Sequence, residues 1–269
     1  MNVKRGDISK ILRSLGLIYF TDYVRFFLEK KINKQSNIEF RKDYPDVVLP
    51  PDYLMYESFQ LNYKKYYLDS IETAEWLVGH FKRHIDLENA RVLDWGCGPG
   101  RVVRHMQKAI GSESSFYGTD YNKNSIEWCS KYLKDVEFNL NSLEAKLPYE
   151  TGFFNVIYGI SIFTHLSEQM HHDWYKELVR VLKPNGILFL TTQGDNFLSK
   201  MTEEEITAYE KDELVVRGKV KEGHRTYSSF HPKGFMEQLF KDQIVAEHIV
   251  RKQENSVVPP QDIWIVKKK

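Results

Sequence analysis

Asp94, Gly96, Gly98, Gly100 and Arg101 stand in one run of ten residues, VLDWGCGPGR. Glycine at alternate positions lets a backbone take positive φ and lets a ligand come close, and the amides that open a following helix point outward. Such a loop suits a polar ligand, and charge separates the two obvious kinds. A dinucleotide lays its pyrophosphate on this turn, and its fingerprint G-x-G-x-x-G closes on a glycine that packs helix against strand. Counted from Gly96, that closing position is Arg101, and Asp94 would face a pyrophosphate with like charge. Asp94 suits a cation or an amine instead. Further along, Asp120 ends the apolar run FYGTDY, where a carboxylate can accept both hydroxyls of an adenosine ribose. NAD offers the same hydroxyls, so Asp120 alone does not discriminate. His165 and His231 carry the side chain whose ordinary pKa lies nearest a working pH, which suits proton removal.

These residues need strands and turns to hold them. Arg91-Val92-Leu93 reads as a buried strand, and Val102, Val103 and Met106 begin a helical spacing after the glycines. Phe116 to Tyr121 and Val136 to Leu140 read as the next strands, and Phe153 to Tyr158 as a fourth, followed by a loop over Gly159 to Leu166. Leu178, Val181 and Leu182 form a helical face that Lys183-Pro184-Asn185-Gly186 breaks before the strand Ile187 to Thr192. Ile244 to Val250 and Ile263 to Val266 read as closing strands joined through a Pro-containing connection at Val257 to Gln261. The expectation is an α/β fold: a Rossmann-like, mostly parallel sheet with helices on both faces and a C-terminal antiparallel strand, over residues 89–269.

The glycine run with Asp94, the strand ending in Asp120 and the K-P-N-G turn together resemble the class I S-adenosylmethionine-dependent methyltransferases, over roughly residues 90–269. In that family the glycine loop wraps the methionine part of the cofactor, with the acid near its amino group. The resemblance implies S-adenosyl-L-methionine as cofactor. It implies contacts to it from Asp94, Gly96, Gly98, Gly100, Arg101, Asp120, Tyr121, Asn141, Leu143 and Ser161, with Asn139 also near the adenine. It further implies a base at the mouth of the fourth strand, where His165 stands, with His231 a second candidate and Tyr227 a support for it. The family usually has Asp where this chain has Asn155. LPPDYLMY, RVLDWGCG and the ending Gln261-Asp262-Ile263-Trp264 resemble, more narrowly, bacterial small-molecule methyltransferases of glycan or natural-product pathways. The acceptor implied is an oxygen or nitrogen of a small molecule, with a sugar or glycan preferred. A nucleic-acid or protein methyltransferase, or a non-catalytic cofactor-binding module, is the alternative.

Composition sets further bounds. Lys plus Arg number 38 against 37 for Asp plus Glu, so no net basic field draws in a nucleic acid, and none is expected as a partner. An amino-methylating site on an extruded base would want Asn or Asp before Pro-Pro-aromatic, whereas Pro50-Pro51 lies between Leu49 and Asp52. Cys97 and Cys129 do not suggest a disulfide framework, and a cytoplasmic location is expected. Charges interrupt the apolar stretches near the N-terminus, so no signal peptide or membrane span is expected. No metal site is expected either, because Gly159 to Leu166 supplies no acid.

Residues 1–88 read as an N-terminal helical appendage, a cap or lid. Ile8, Ile11, Leu12 and Leu15 share a helical face, Phe26-Phe27-Leu28 adds apolar content, and Pro50-Pro51-Asp52 should start a helix in the aromatic stretch Tyr53 to Trp76. The aromatics are expected to be core and packing surface, with a cover over the ligand as the sharper alternative. His171 and His172, adjacent on a helix and unable to chelate together, are expected to be solvated surface. Thr202 with Glu205 reads as a capping box, and the closing Lys267-Lys268-Lys269 as a solvated tail. Asp94 and Asp120 are both expected at loop positions where loss of the acid would barely touch the unliganded fold.

Overall fold

The computed structural model of the chain describes residues 5–252 and 258–269. Met1 to Lys4, and Val257 of the connection expected before the last strand, lie outside the described residues. The chain forms two compact units, one of Phe20–Ser142 and one of Met1–Tyr19 with Leu143–Lys269. It opens with α1 (Arg5–Ser14) and α2 (Ile18–Ile32), and the division falls within α2. The segment 1–88 is therefore shared between the units.

In the first unit α2 is followed by α3 (Lys34–Asp43), α4 (Asp52–Ser58) and α5 (Tyr63–Phe81), then β1 (Arg91–Trp95), α6 (Met106–Ile110), β2 (Ser115–Asp120), α7 (Lys123–Tyr132) and β3 (Glu137–Leu140). The helix that Pro50-Pro51-Asp52 begins is short: α4 stops at Ser58, and the Asn62 side chain starts α5 by accepting the Lys65 amide at 3.0 Å. Phe26, Phe40, Met55, Tyr56, Leu61, Tyr63 and Tyr66 form one apolar cluster, so these N-terminal aromatics are core, as the blander expectation had it. The strands β3-β2-β1 are parallel, with Leu93 opposite Tyr117 and Thr119 opposite Asn139. Val92, Leu93, Asp94 and Trp95 are all buried, and that continuous burial is why β1 reads as an unbroken apolar run apart from its acid.

The second unit carries β4 (Phe154–Gly159), α8 (Glu168–Val181), β5 (Leu182–Thr192), α9 (Glu203–Tyr209), β6 (Val215–Arg217), β7 (Ser228–Phe230), α10 (Lys233–Phe240), β8 (Ile244–Ile249) and β9 (Asp262–Lys267). Here β4 and β5 are parallel, β9 runs antiparallel to both β5 and β8, and the order is β4-β5-β9-β8. The expected K-P-N-G break sits inside β5 as an irregularity: Asn185 takes φ +62, and the register to β4 shifts between Phe154 and Val156. A methyl group on Gly186 would lie 2.9 Å from the Asn155 carbonyl, so the turn needs glycine for close approach. Thr202 and Glu205 form the capping box at the start of α9. Parallel strands, antiparallel C-terminal strands and N-terminal helices are the α/β class expected from the sequence.

The glycine loop owes part of its composition to packing. At Gly100, φ is +70, and a methyl group would stand 2.6 Å from Leu133 Cδ1 and 3.2 Å from Cys129 Sγ. Gly100→Ala should therefore destabilise the chain by about 1–3 kcal/mol, through backbone strain and crowding together. Urea unfolding of the unliganded chain measures this, and an unchanged midpoint would remove packing as the reason for glycine there.

Candidate functional site

Glycine loop and acids belong to the first unit. Gly96, Gly98 and Gly100 all take positive φ, at +75, +52 and +70. The Gly96 and Cys97 amides both donate to the Thr119 carbonyl, at 2.8 and 3.0 Å, which ties the loop to the end of β2. Asp120 ties it a second time: Oδ2 accepts the Gly98 amide at 2.8 Å, and Oδ1 accepts the Asn122 amide at 2.7 Å. From behind, Tyr66 on α5 donates its hydroxyl to the Pro99 carbonyl at 3.1 Å. Arg101 lies over the Phe59 ring at 4.3 Å and donates to Ser70 Oγ at 3.1 Å. A methyl group on Gly98 would meet Ser58 Cβ at 3.0 Å. The helical segment thus forms the back wall of the loop.

Asp94 and Asp120 are both buried at the C-terminal ends of their strands. Burial pushes the Asp120 carboxyl above its ordinary value of 3.8, against the pull of the Asn122, Gly98 and Tyr121 amides. A carboxylate has about four acceptor positions, so these three amides leave part of its capacity for a hydroxyl donor. The acceptor capacity that remains fits ribose hydroxyls. Asn141 Oδ1 accepts the Thr119 hydroxyl at 2.7 Å, and its amide nitrogen donates to the Ser142 carbonyl at 2.6 Å. Tyr121 directly follows β2 and is half-buried. The amide bonds of Asp120 change one expectation: removing this acid leaves its backbone donors without their acceptor, so it must cost stability even without ligand.

The remaining candidates stand in the second unit. Leu143 accepts the Trp174 indole N–H at 3.2 Å. Ser161, just after β4, takes φ +62 and donates its amide to Thr191 Oγ1 at 2.8 Å. Gln261 completes that corner: its Nε2 donates to Ser161 Oγ at 2.7 Å while its Oε1 accepts the Thr191 hydroxyl at 2.6 Å. The sequence pattern had flagged Gln261 without giving it a role. His165 ends the short 3-10 turn Phe163–His165 and places Nδ1 2.8 Å from the Tyr227 carbonyl. A carbonyl only accepts, so Nδ1 carries the hydrogen and Nε2 is the bare, basic nitrogen. Burial lowers the His165 pKa from 6.5, and the Tyr227 carbonyl opposes that.

His231 stands differently. It is buried, and its Nε2 lies 2.9 Å from Nε2 of His171, whose Nδ1 is 2.7 Å from the Ser167 carbonyl. His171 was expected on the surface and is instead fully buried, while His172 beside it is exposed. Adjacent helical positions point about 100° apart, so one ring enters the core against Phe163 and Phe235 and the other does not. Since Ser167 fixes the hydrogen on Nδ1 of His171, its Nε2 must accept, and Nε2 of His231 must donate. His231 Nδ1 is then buried with no partner among the described residues. Burial takes the His171 pKa down to about 4, and burial with the neighbouring His171 ring takes His231 well below 6.5.

Comparisons with known proteins match this frame. Residues 92–186 match the family model described as "Methyltransferase domain". Over those residues the chain carries a methyltransferase-domain pattern, and it is similar to class I methyltransferases. A demethylmenaquinone methyltransferase of Lactococcus lactis is 30% identical over 118 residues, covering 41% of this chain and 45% of that protein. A tRNA (carboxymethyluridine(34)-5-O)-methyltransferase of Arabidopsis thaliana is 25% identical, covering 60% of this chain and 37% of that one. The chain thus spans less than half the length of these methyltransferases. A solved S-adenosylmethionine-dependent methyltransferase of Methanosarcina mazei shares the fold, with TM-score 0.54 and 18% identity over 70% of this chain and 95% of that one. Magnesium protoporphyrin IX methyltransferase of Synechocystis PCC 6803, solved with bound SAH, shares it with TM-score 0.53 and 13% identity over 90% and 98%. Among the described residues, no group of three or more His, Cys, Asp or Glu is set to hold a metal ion, and no helix is long and apolar enough to cross a membrane.

The buried histidine pair gives a pH signature. A folded-state pKa lowered below 6.5 means the pair contributes stability at pH above about 6.5 and loses it as pH falls toward about 4. The thermal midpoint of the wild type should fall through this window more steeply than that of His171→Leu/His231→Leu. Equal slopes would mean that the pair does not titrate on unfolding.

Proposed function

We propose that the chain is an S-adenosylmethionine-dependent methyltransferase that methylates an oxygen or nitrogen of a small molecule, with a sugar or glycan hydroxyl or amine as the preferred acceptor. The observation that carries this reading is the clamp of Asp120 on the Gly98 and Asn122 amides, which leaves a buried carboxylate with acceptor capacity for ribose hydroxyls beside a glycine loop and a second acid, Asp94. Bound cofactor supplies a methyl group on a positively charged sulfur. Asp94 fits the cofactor's ammonium group, and the loop residues Gly96, Gly98, Gly100 and Arg101, with Tyr121 and Asn141, complete the proposed cradle. Leu143 and Ser161 are proposed as cofactor contacts on the family resemblance alone.

Proton removal falls to His165. Its pinned Nδ1 leaves Nε2 to take the proton of an acceptor hydroxyl as the oxygen–methyl bond forms and the sulfur–methyl bond breaks. His231, closed in against His171, is proposed as a structural partner instead. The glycan preference rests on the narrower resemblance and on the many tyrosines of the N-terminal segment, whose amphipathic rings suit sugar faces. The near-zero net charge speaks against a nucleic acid, although the tRNA methyltransferase among the relatives makes tRNA the acceptor to include in any panel. Two free, buried cysteines support a reducing cytoplasm.

Calorimetry should detect binding of S-adenosylmethionine and S-adenosylhomocysteine and none of NAD. Asp94→Ala and Asp120→Ala should each weaken that binding, and Asp120→Ala should lower the unliganded thermal midpoint as well. Binding of NAD alone would end this reading. With an acceptor found in a panel of sugars, amines and tRNA, His165→Ala should lower kcat by about 10² to 10⁴ with cofactor affinity nearly intact. A wild-type rate in that variant would favour an amine acceptor that needs only alignment.

A further inference from the structure

Helix α2 is mounted the wrong way round for a helix of a water-surrounded protein. Within the first unit its polar side faces inward: Asp22 accepts the Tyr56 hydroxyl at 2.8 Å, and Glu29 Oε2 accepts the Leu61 amide at 3.2 Å. Asn33, just past its end, joins Asn62 at 2.8 Å. Only Phe26 of the helix is buried. Phe20, Tyr23, Val24, Phe27, Leu28 and Ile32 all point outward, with Phe20 65% and Ile32 76% exposed. Their spacing of three and four makes one continuous apolar stripe of about half the helix circumference. In the second unit α1 repeats the plan by itself. Arg13 is turned inward onto the Arg217, Gly218 and Thr226 carbonyls, and Ile8, Ile11 and Leu15 stand exposed.

A contiguous apolar face of this kind marks an interaction surface. Its occupant can be read from its edges. Arg25, Lys30, Lys31 and Lys34 are exposed along the stripe; Arg25 pairs with Glu29 at 3.0 Å and Lys30 with Asp52 at 2.8 Å, so Lys31 and Lys34 carry the basic charge of this face, while the acids of α2 are the inward-facing Asp22 and Glu29. Two-fold pairing with a second copy would bring the same basic flank from both chains together. An anionic lipid surface meets it with opposite charge, and aromatic side chains beside a polybasic edge are the composition of a helix that lies in a membrane interface. We propose that the outward face of α2 from Phe20 to Ile32 docks the chain onto an anionic lipid bilayer, lying in its surface and not crossing it.

Flotation of the full chain with phosphatidylcholine vesicles, with and without phosphatidylglycerol, tests this. Binding is expected to the anionic vesicles and to weaken with added salt. Phe20→Ser/Phe27→Ser and, separately, Lys31→Glu/Lys34→Glu should each lower it by about tenfold or more, with the thermal midpoint and S-adenosylhomocysteine affinity kept. Absence of vesicle binding by the wild type overturns the proposal. So does a dimer in sedimentation that the double serine variant abolishes without any effect on lipid, because the face would then belong to a second copy.

Discussion

A carboxylate removed from water has to find donors, and around Asp120 the donors are the backbone itself. Its two oxygens hold the amides of Gly98 and Asn122, one on the glycine loop and one at the start of α7. That single side chain fixes the distance between the loop after β1 and the tip of β2. The Gly96 and Cys97 amides on the Thr119 carbonyl make the same link through backbone alone. Everything proposed for the cofactor depends on this link, since a loop free to drift from β2 could not offer its amides and the carboxylate to one ligand.

The helical segment from Phe20 to Phe81 supports the link from behind. Tyr66, Ser58, Phe59 and Ser70 press on Pro99, Gly98 and Arg101, so the aromatics of this segment set the backbone that a ligand would meet. It is built into the loop's own unit, which accounts for how densely tyrosine and phenylalanine are buried there. The other side of the same segment is the outward face of α2. One stretch of chain thus carries a packing role on one side and a docking role on the other.

Much of the frame was legible because it is written locally. Alternating glycines, an acid at a strand end and a K-P-N-G turn each constrain a few adjacent residues, and the strands formed where their apolar runs lay. What escaped depended on which way a face is turned. Periodicity shows that Ile8, Ile11 and Leu15 share a stripe but not that the stripe faces outward, because that is decided by Arg13 finding carbonyls more than two hundred residues away. His171 is buried and not on the surface for the same reason, its partner His231 being 60 residues distant. The glycines at 98 and 100 were legible as glycines, yet the packing against Ser58 and Leu133 that also requires them is visible only in three dimensions.

A structure of the chain with S-adenosylhomocysteine bound tests the role of Asp120 most directly. Both ribose hydroxyls should lie within hydrogen-bond distance of its carboxylate while the Gly98 and Asn122 amides keep their bonds to it, and the ligand's amino group should lie beside Asp94. A ligand seated away from Asp120, or a carboxylate that has released Gly98 to reach the ribose, would contradict it.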